Sequence, residues 1–161
     1  MVTLYRIGVD TPAFGADDTT GEGARLHGGR WNRPETPMLY TSTTRALAYL
    51  EALVHLSGGA LPLNRYLVEL SVPDDLWATR STFDPASHVG WDARPPGLVS
   101  MDWGDRWARG GSTLLAEVPS VVIPAETNVL VNPRHPRIGK VRARKSQRVE
   151  FDARLIPQLM P

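Results

Sequence analysis

The residues best suited to chemistry lie between His27 and Ser57, where a glycine turn precedes a short strand and a helix. The turn carries Arg30 in the run Gly28-Gly29-Arg30-Trp31-Asn32. Glycine has no Cβ atom, so its backbone can bend sharply or pass close to a ligand. An arginine directly after such a turn can offer its planar guanidinium to a phosphate or a carboxylate. An arginine packed on Trp31 at the surface is the ordinary alternative.

A single glutamate, Glu51, lies on the helix that this stretch predicts. At about 100° per residue, one face of the helix is apolar, and it is formed by Ala46, Leu47, Leu50, Leu53 and Val54. Glu51 falls on the border of that face, with His55 one turn later on the same side. A carboxylate at such a border can be partly desolvated, which favours a functional role. A border is also a normal place for a solvated glutamate, so both interpretations stay open.

Other polar residues interrupt apolar or turn-forming stretches, and each has an ordinary structural explanation. Tyr40 is typical of a core or an interface. Ser120, which follows Pro119, is typical of a turn or a strand. Asn128 and Asn132 stand at the two ends of an apolar run, where asparagine side chains commonly bond to local backbone.

Several classes of active site find no support in the sequence. The chain has no cysteine, which excludes disulfides, thiolate metal sites and a cysteine nucleophile. Its four histidines lie far apart, and no pair has the HExxH spacing of a zinc hydrolase. The phosphate-binding patterns GxxxxGK[ST] and GxGxxG are absent, as is the GxSxG pattern of hydrolases.

Length and charge point to one soluble domain spanning residues 1–161. The formal net charge is +1, so nothing in the composition indicates nucleic acid or an anionic membrane as the main partner. Basic residues do cluster from Arg134 to Arg148, as they often do on a solvated face. There is no apolar signal core at the N-terminus and no run of 18 apolar residues, so we expect a cytoplasmic protein.

The elements that must position these residues are short, because the chain holds 14 glycines and 14 prolines. Besides the helix that begins at residues 42–44 and ends at Gly58-Gly59, a short helix is predicted at 100–109, ended by Gly110-Gly111. Residues 10–23 are predicted as a loop and 74–97 as irregular with a turn of helix. Strands are predicted at 4–9, 37–41, 64–72, 114–118, 120–123, 128–132, 137–142 and 148–152. The pattern indicates one α+β domain.

Taken together, the motifs resemble the RES domain family, which is named for its arginine, glutamate and serine. No single piece is decisive, but their order and spacing along nearly the whole chain are specific. The pieces are Tyr5-Arg6, the Gly28–Asn32 run, Tyr40-Thr41-Ser42, Ala48-Tyr49-Leu50-Glu51, Val118-Pro119-Ser120, the run from Asn128 to Pro136, and Phe151-Asp152-Ala153-Arg154-Leu155.

The resemblance implies a compact ADP-ribosyltransferase-like domain of short, mostly antiparallel strands. Members of the family are toxins of bacterial Xre–RES toxin–antitoxin pairs and consume NAD⁺ by hydrolysis or phosphorolysis, which arrests growth. A minority ADP-ribosylate a protein target. NAD⁺ is then the substrate, with no metal or bound cofactor. A non-catalytic binding module remains the alternative, because fold resemblance does not guarantee activity.

The resemblance also assigns roles. Arg30, Glu51 and Ser120 occupy the three name-giving positions and are expected to be catalytic, while Arg6, Tyr40 and Asn132 are expected to bind the substrate. A carboxylate such as Glu51 can stabilise positive charge on the ribose, and Ser120 can orient nicotinamide or ribose.

A helix-turn-helix antitoxin is the partner that the resemblance implies, and it would contact DNA on behalf of the complex. The basic segment Lys140–Lys145 is a candidate surface for an acidic patch on that antitoxin.

Overall fold

A seven-stranded sheet forms the centre of the computed structural model, which describes residues 1–56 and 63–155. Across the sheet the strands run in the order β4-β5-β6-β2-β1-β3-β7. Among the described strands, β4 and β5 pair in parallel and the other neighbouring pairs are antiparallel. The strands are β1 (Val2–Val9), β2 (Leu39–Ser42), β3 (Arg65–Val72), β4 (Ser81–Thr82), β5 (Leu115–Pro119), β6 (Thr127–Val131) and β7 (Arg142–Arg148).

Four α-helices accompany the sheet in the described part of the chain, which confirms the α+β class. They are α1 (Glu22–His27), α2 (Arg45–Val54), α3 (Asp74–Ala78) and α4 (Leu98–Gly110). Short 3₁₀ turns occur at Pro85–Ser87 and Ile138–Lys140. Within the described ranges, no helix is both long enough and apolar enough to cross a membrane.

The core lies on both faces of the sheet because neighbouring residues of a strand point to opposite sides. On β6, Val129 and Val131 join one buried cluster, whereas Leu130 between them joins the other. The first cluster also takes Leu4, Leu39, Val68, Leu70, Val72 and Leu115. The second is built around aromatic rings and includes Trp31, Phe83 and Trp107. The predicted apolar face of β3 is confirmed, since Val68, Leu70 and Val72 are buried in the first cluster and Tyr66 packs against it.

Helix α2 begins where the sequence predicts it, but its buried face is different. The Thr44 side chain caps it by accepting a hydrogen bond from the backbone N–H of Leu47. Of the predicted apolar face, Ala46 is exposed and Val54 is 58% exposed. Leu47, which the prediction placed on the apolar face, is buried, and so is Ala48, which it did not. Alanine on this side lets the helix lie close to β1 and β2, and Glu51 shares that side with Ala48.

Several other boundaries differ from the predictions. The predicted loop at 10–23 runs into α1, and the region predicted as irregular contains α3 and β4. β5 stops at Pro119, so residues 120–123 form no strand. The predictions at 137–142 and 148–152 are wrong: the strand there, β7, occupies the segment between them and pairs with β3 through an irregularity at Leu67/Val68. The end predicted for α2, Gly58-Gly59, lies outside the described residues, whereas Gly111 ends α4 in the left-handed conformation.

Helix α4 supports the turn that carries Arg30, and a glycine makes this contact possible. A Cβ atom at Gly104 would lie 1.8 Å from the backbone oxygen of Trp31. A Cβ atom at Gly110, on the same helix, would meet no packed neighbour within 4 Å among the described residues. The tight approach of α4 to the Arg30–Trp31 backbone therefore depends on residue 104.

We expect Gly104→Ala to lower the free energy of unfolding by about 1–3 kcal/mol, because helix and turn must separate to admit a methyl group. Gly110→Ala is the matched control and should leave stability unchanged or raise it by a few tenths of a kcal/mol. Urea denaturation measures both. Equal midpoints for the two variants would contradict the proposed contact.

Candidate active site

One large cleft, about 820 Å³ in volume, opens beside the central strands. Its walls come from β1, β2 and α2, from the glycine turn at 28–31, and from two loop segments near residues 94–96 and 119–122. The volume is that of a typical small-molecule or cofactor site. The polar side chains that matter most in its lining are Arg6, Arg30, Tyr40, Glu51, Arg94 and Asn128.

The carboxylate of Glu51 is held in a fixed orientation by two hydrogen bonds to one oxygen. The Ser120 hydroxyl donates to Oε1 at 2.8 Å, and the Asn128 amide donates to the same atom at 2.5 Å. The Asn128 amide is itself fixed, because its Oδ1 accepts from the Ser42 hydroxyl at 2.7 Å. Oε2 forms no hydrogen bond with any described residue. One carboxylate oxygen is therefore committed to the protein and the other is left for a ligand.

Ser120 supports Glu51 from behind rather than facing the cleft. Its side chain is 0% exposed, and besides donating to Glu51 its Oγ accepts from the backbone N–H groups of Val122 (3.1 Å) and Ile123 (3.0 Å). A hydroxyl has one hydrogen and two lone pairs, so these three contacts use its full capacity. The expectation that Ser120 orients nicotinamide or ribose is replaced by a positioning role.

Arg30 divides its guanidinium between the protein and the cleft. Its Nη1 donates to the backbone oxygens of Trp91 at 3.1 Å and Ala93 at 2.9 Å. Nε and Nη2 make no hydrogen bond within the described ranges, so this edge of the planar guanidinium group can donate to a ligand. Burial lowers the pKa of Arg30, and the positive charge of Arg94 lowers it further. The group stays charged at neutral pH.

Tyr40 fixes the glycine turn through its hydroxyl and offers its ring to the cleft. The hydroxyl donates to Oδ1 of Asn32 at 2.6 Å and accepts from the backbone N–H of Trp31 at 2.9 Å. Burial is the main influence on this phenol and raises its pKa far above the usual value, so it remains neutral. A Cβ atom at Gly29 would lie 2.6 Å from the hydroxyl oxygen, which explains the glycine there.

Arg6 lies on β1 and lines the cleft, as its predicted binding role requires. Its Nη1 donates to the backbone oxygen of Asp18 at 3.3 Å. Burial lowers the pKa of Arg6, while the negative charges of Asp18 and Asp17 oppose that effect. A second guanidinium is thereby held at the cleft by contact with a loop.

Asn132 does not lie at the cleft. It is buried after β6, where its amide donates to the backbone oxygen of Ala108 at 2.8 Å and its Oδ1 accepts from the backbone N–H of Arg134 at 3.0 Å. These bonds tie α4 to the end of β6. This position makes it a structural residue rather than a substrate ligand.

Asn128 and Arg94 are the site residues whose importance the sequence did not show. Asn128 was expected to bond local backbone, but it bonds two side chains that are far away in the sequence. It faces Ser42 directly across the pairing of β6 with β2, so knowledge of that pairing would have revealed it. Arg94 stands in a region predicted as irregular and had no recognisable pattern around it.

The geometry defines a cleft in which a fixed carboxylate faces several arginines, on a small α+β domain. The family model described as "RES domain" matches residues 3–152. The chain belongs to the RES domain family.

Named relatives cover most of the chain. A protein of Sphingobium sp. (strain YBL2) named "Prs ADP-ribosylating toxin" is 46% identical over 155 residues, which are 96% of each chain. A protein named "Toxin Res" from Yersinia enterocolitica is 33% identical over 82% of this chain and 84% of its own length. The fold is similar to a chain in the crystal structure of the M. tuberculosis MbcT–MbcA toxin–antitoxin complex, with a TM-score of 0.55 at 19% identity, covering 89% of this chain and 81% of that one.

The support that Ser120 gives to the site can be measured as stability. We expect Ser120→Ala to lower the free energy of unfolding by about 1–3 kcal/mol, because the amides of Val122 and Ile123 lose a buried acceptor. Ser112→Ala, at an exposed serine, should stay within about 0.5 kcal/mol of the wild type. Chemical denaturation of both variants decides the point, and equal stability would rule out the buried role of the hydroxyl.

Proposed function

We propose that this protein is the toxin of a toxin–antitoxin pair and that it cleaves the nicotinamide–ribose bond of NAD⁺ in the cleft. The observation that carries the proposal is the Glu51 carboxylate, oriented by Ser120 and Asn128 in a cleft lined by arginines. Membership of the RES domain family and relatives named as toxins support it.

The carboxylate suits the electronic demand of this cleavage. As the nicotinamide leaves, positive charge develops on the ribose in an oxocarbenium-like transition state. A preoriented negative group stabilises such charge without having to reorganise at the moment of reaction. In the proposal Oε2 of Glu51 faces the ribose, while Oε1 stays bonded to Ser120 and Asn128. Neutral nicotinamide departs with the bonding electron pair.

The remaining groups at the cleft suit the rest of the dinucleotide. The free edge of Arg30, formed by Nε and Nη2, can hold a phosphate oxygen pair in a bidentate manner. Arg6 adds a second cation on the neighbouring wall. The ring of Tyr40 provides an aromatic surface for nicotinamide.

Within the described ranges, no three histidine or acidic residues are grouped as a metal site would need.

The name of one relative favours a protein as the acceptor of the ADP-ribose group. The relative that is 46% identical along 96% of this chain is named "Prs ADP-ribosylating toxin". We take this name to mean that the relative attaches ADP-ribose to a protein called Prs. Water and phosphate, the acceptors that the sequence resemblance implies first, would use the same cleavage step. The acceptor differs only in which molecule reaches the ribose carbon after nicotinamide has left.

An antitoxin is the proposed partner, and the solved complex that shares the fold supports this. The helix-turn-helix type remains a proposal from the family resemblance. The basic segment Lys140–Lys145 leads into the edge strand β7, where Arg144 already pairs with Glu69 and Lys145 with Asp10. Lys140 and Arg142 are exposed, and charge reversal there tests whether this edge contributes to antitoxin affinity.

Products identify the reaction. Purified antitoxin-free protein is mixed with NAD⁺ labelled in its adenylate half, with and without phosphate and with and without Prs, and the products are identified by mass. Label on Prs indicates transfer, free ADP-ribose indicates hydrolysis, and ADP-ribose with an added phosphate indicates phosphorolysis. Folded protein that consumes no NAD⁺ under any condition would contradict the proposal and leave the non-catalytic binding module.

Removing the charge of Glu51 should stop the reaction. We expect Glu51→Gln to reduce NAD⁺ consumption by about 100- to 1000-fold, because the amide has the shape but not the charge of the carboxylate. Glu150→Gln, at an exposed glutamate, is the matched control and should keep full activity. Nicotinamide release measures both. Growth arrest on induced expression should follow the same order, and a fully active Glu51→Gln protein would refute the role of the carboxylate.

A further inference from the structure

Arg94 and Pro96 line the cleft, and the segment that carries them, Trp91 to Pro96, is attached at its start by stacking. The ring of Trp91 stacks on that of Trp31, with centroids 5.9 Å apart and planes 21° from parallel. Trp31 is itself buried, so this stack joins the segment to the core. Arg30 adds two hydrogen bonds to the backbone oxygens of Trp91 and Ala93.

Arg94 fastens the same segment on the other side of the cleft. Its Nη2 donates to the backbone oxygen of Val121 at 2.8 Å, next to the residue that fixes Glu51. This contact uses one of five guanidinium N–H donors. Arg94 is exposed to solvent and lines the cleft, and its other donors form no hydrogen bond with the described residues.

The charges of Arg94 and Arg30 favour an anion between them. Burial and the nearby charge of Arg94 lower the pKa of the Arg30 guanidinium, whereas the carboxylates of Glu51 and Asp92 raise it. Neither arginine forms a salt bridge with a carboxylate in residues 1–56 and 63–155. Two like charges held near each other disfavour one another, and a bound anion relieves that repulsion. Each guanidinium is oriented by hydrogen bonds to backbone oxygens: Arg30 by those of Trp91 and Ala93, and Arg94 by that of Val121.

We propose that Arg94 is a substrate-binding residue that holds the diphosphate of the dinucleotide together with Arg30. The inference rests on the proposed function, because it takes NAD⁺ as the substrate. A diphosphate carries two negative charges, and a pair of guanidinium groups matches both its charge and its oxygen geometry. Arg94 thereby acts on substrate affinity, whereas Glu51 acts on the transition state.

Kinetics of Arg94→Gln tests this assignment. We expect the KM for NAD⁺ to rise about tenfold or more, with kcat within about threefold of the wild type, since ground-state and transition-state binding are lost together. Arg94→Lys should recover part of the affinity. Arg106→Gln, at an exposed arginine away from the cleft, is the matched control and should leave both constants unchanged.

Product inhibition separates phosphate binding from support of the segment. ADP-ribose contains the diphosphate and nicotinamide does not, so Arg94→Gln should weaken inhibition by ADP-ribose about tenfold and leave inhibition by nicotinamide unchanged. Equal weakening of both inhibitors would show that Arg94 only holds the segment, which overturns the inference. An unchanged KM in a protein that consumes NAD⁺ also overturns it and leaves the proposed function standing. A wild-type protein that consumes no NAD⁺ overturns both.

Discussion

The structure of the site depends on one shared atom, Oε1 of Glu51. Two donors from separate strands and loops converge on it, Ser120 after β5 and Asn128 on β6. A carboxylate is costly to withdraw from water unless its oxygens are bonded, and these donors provide that compensation on one side only. The helix that carries Glu51 is therefore positioned against the sheet by a polar contact as well as by apolar packing.

The three name-giving residues lie at different depths in the site: Ser120 is buried behind Glu51, whereas Glu51 and Arg30 line the cleft. Ser120 holds the carboxylate, Glu51 presents its second oxygen, and Arg30 uses part of its donor set on the wall segment. Tyr40 and Gly29 then fix the turn on which Arg30 stands. Hydrogen bonds from Ser120 and Asn128 fix Glu51, and hydrogen bonds to backbone groups fix the arginines, which is how a small domain can preorganise a charged site.

Local patterns in the sequence predicted local structure well and distant contacts poorly. The α+β class, the strand at 64–72 and the cap that starts α2 follow from alternation, β-branched residues and hydroxyl side chains. The buried face of α2 followed only in part: Leu47 is buried as predicted, but Ala48 is buried where Ala46 and Val54 were expected to be. Asn128 could not be recognised, because its partner Ser42 is 86 positions away and becomes a neighbour only when β6 pairs with β2.

The side chains of Arg30 and Arg94 contact the segments around the cleft through backbone oxygens. Arg30 donates to those of Trp91 and Ala93, and Arg94 donates to that of Val121. Every residue type carries such an oxygen, so the attachment makes no demand on the side chains at 92, 93 and 121. Mutation can alter what these positions present to solvent or to an incoming molecule while the attachment persists. In evolutionary terms, the rim of this cleft is free to diversify while its centre keeps its geometry.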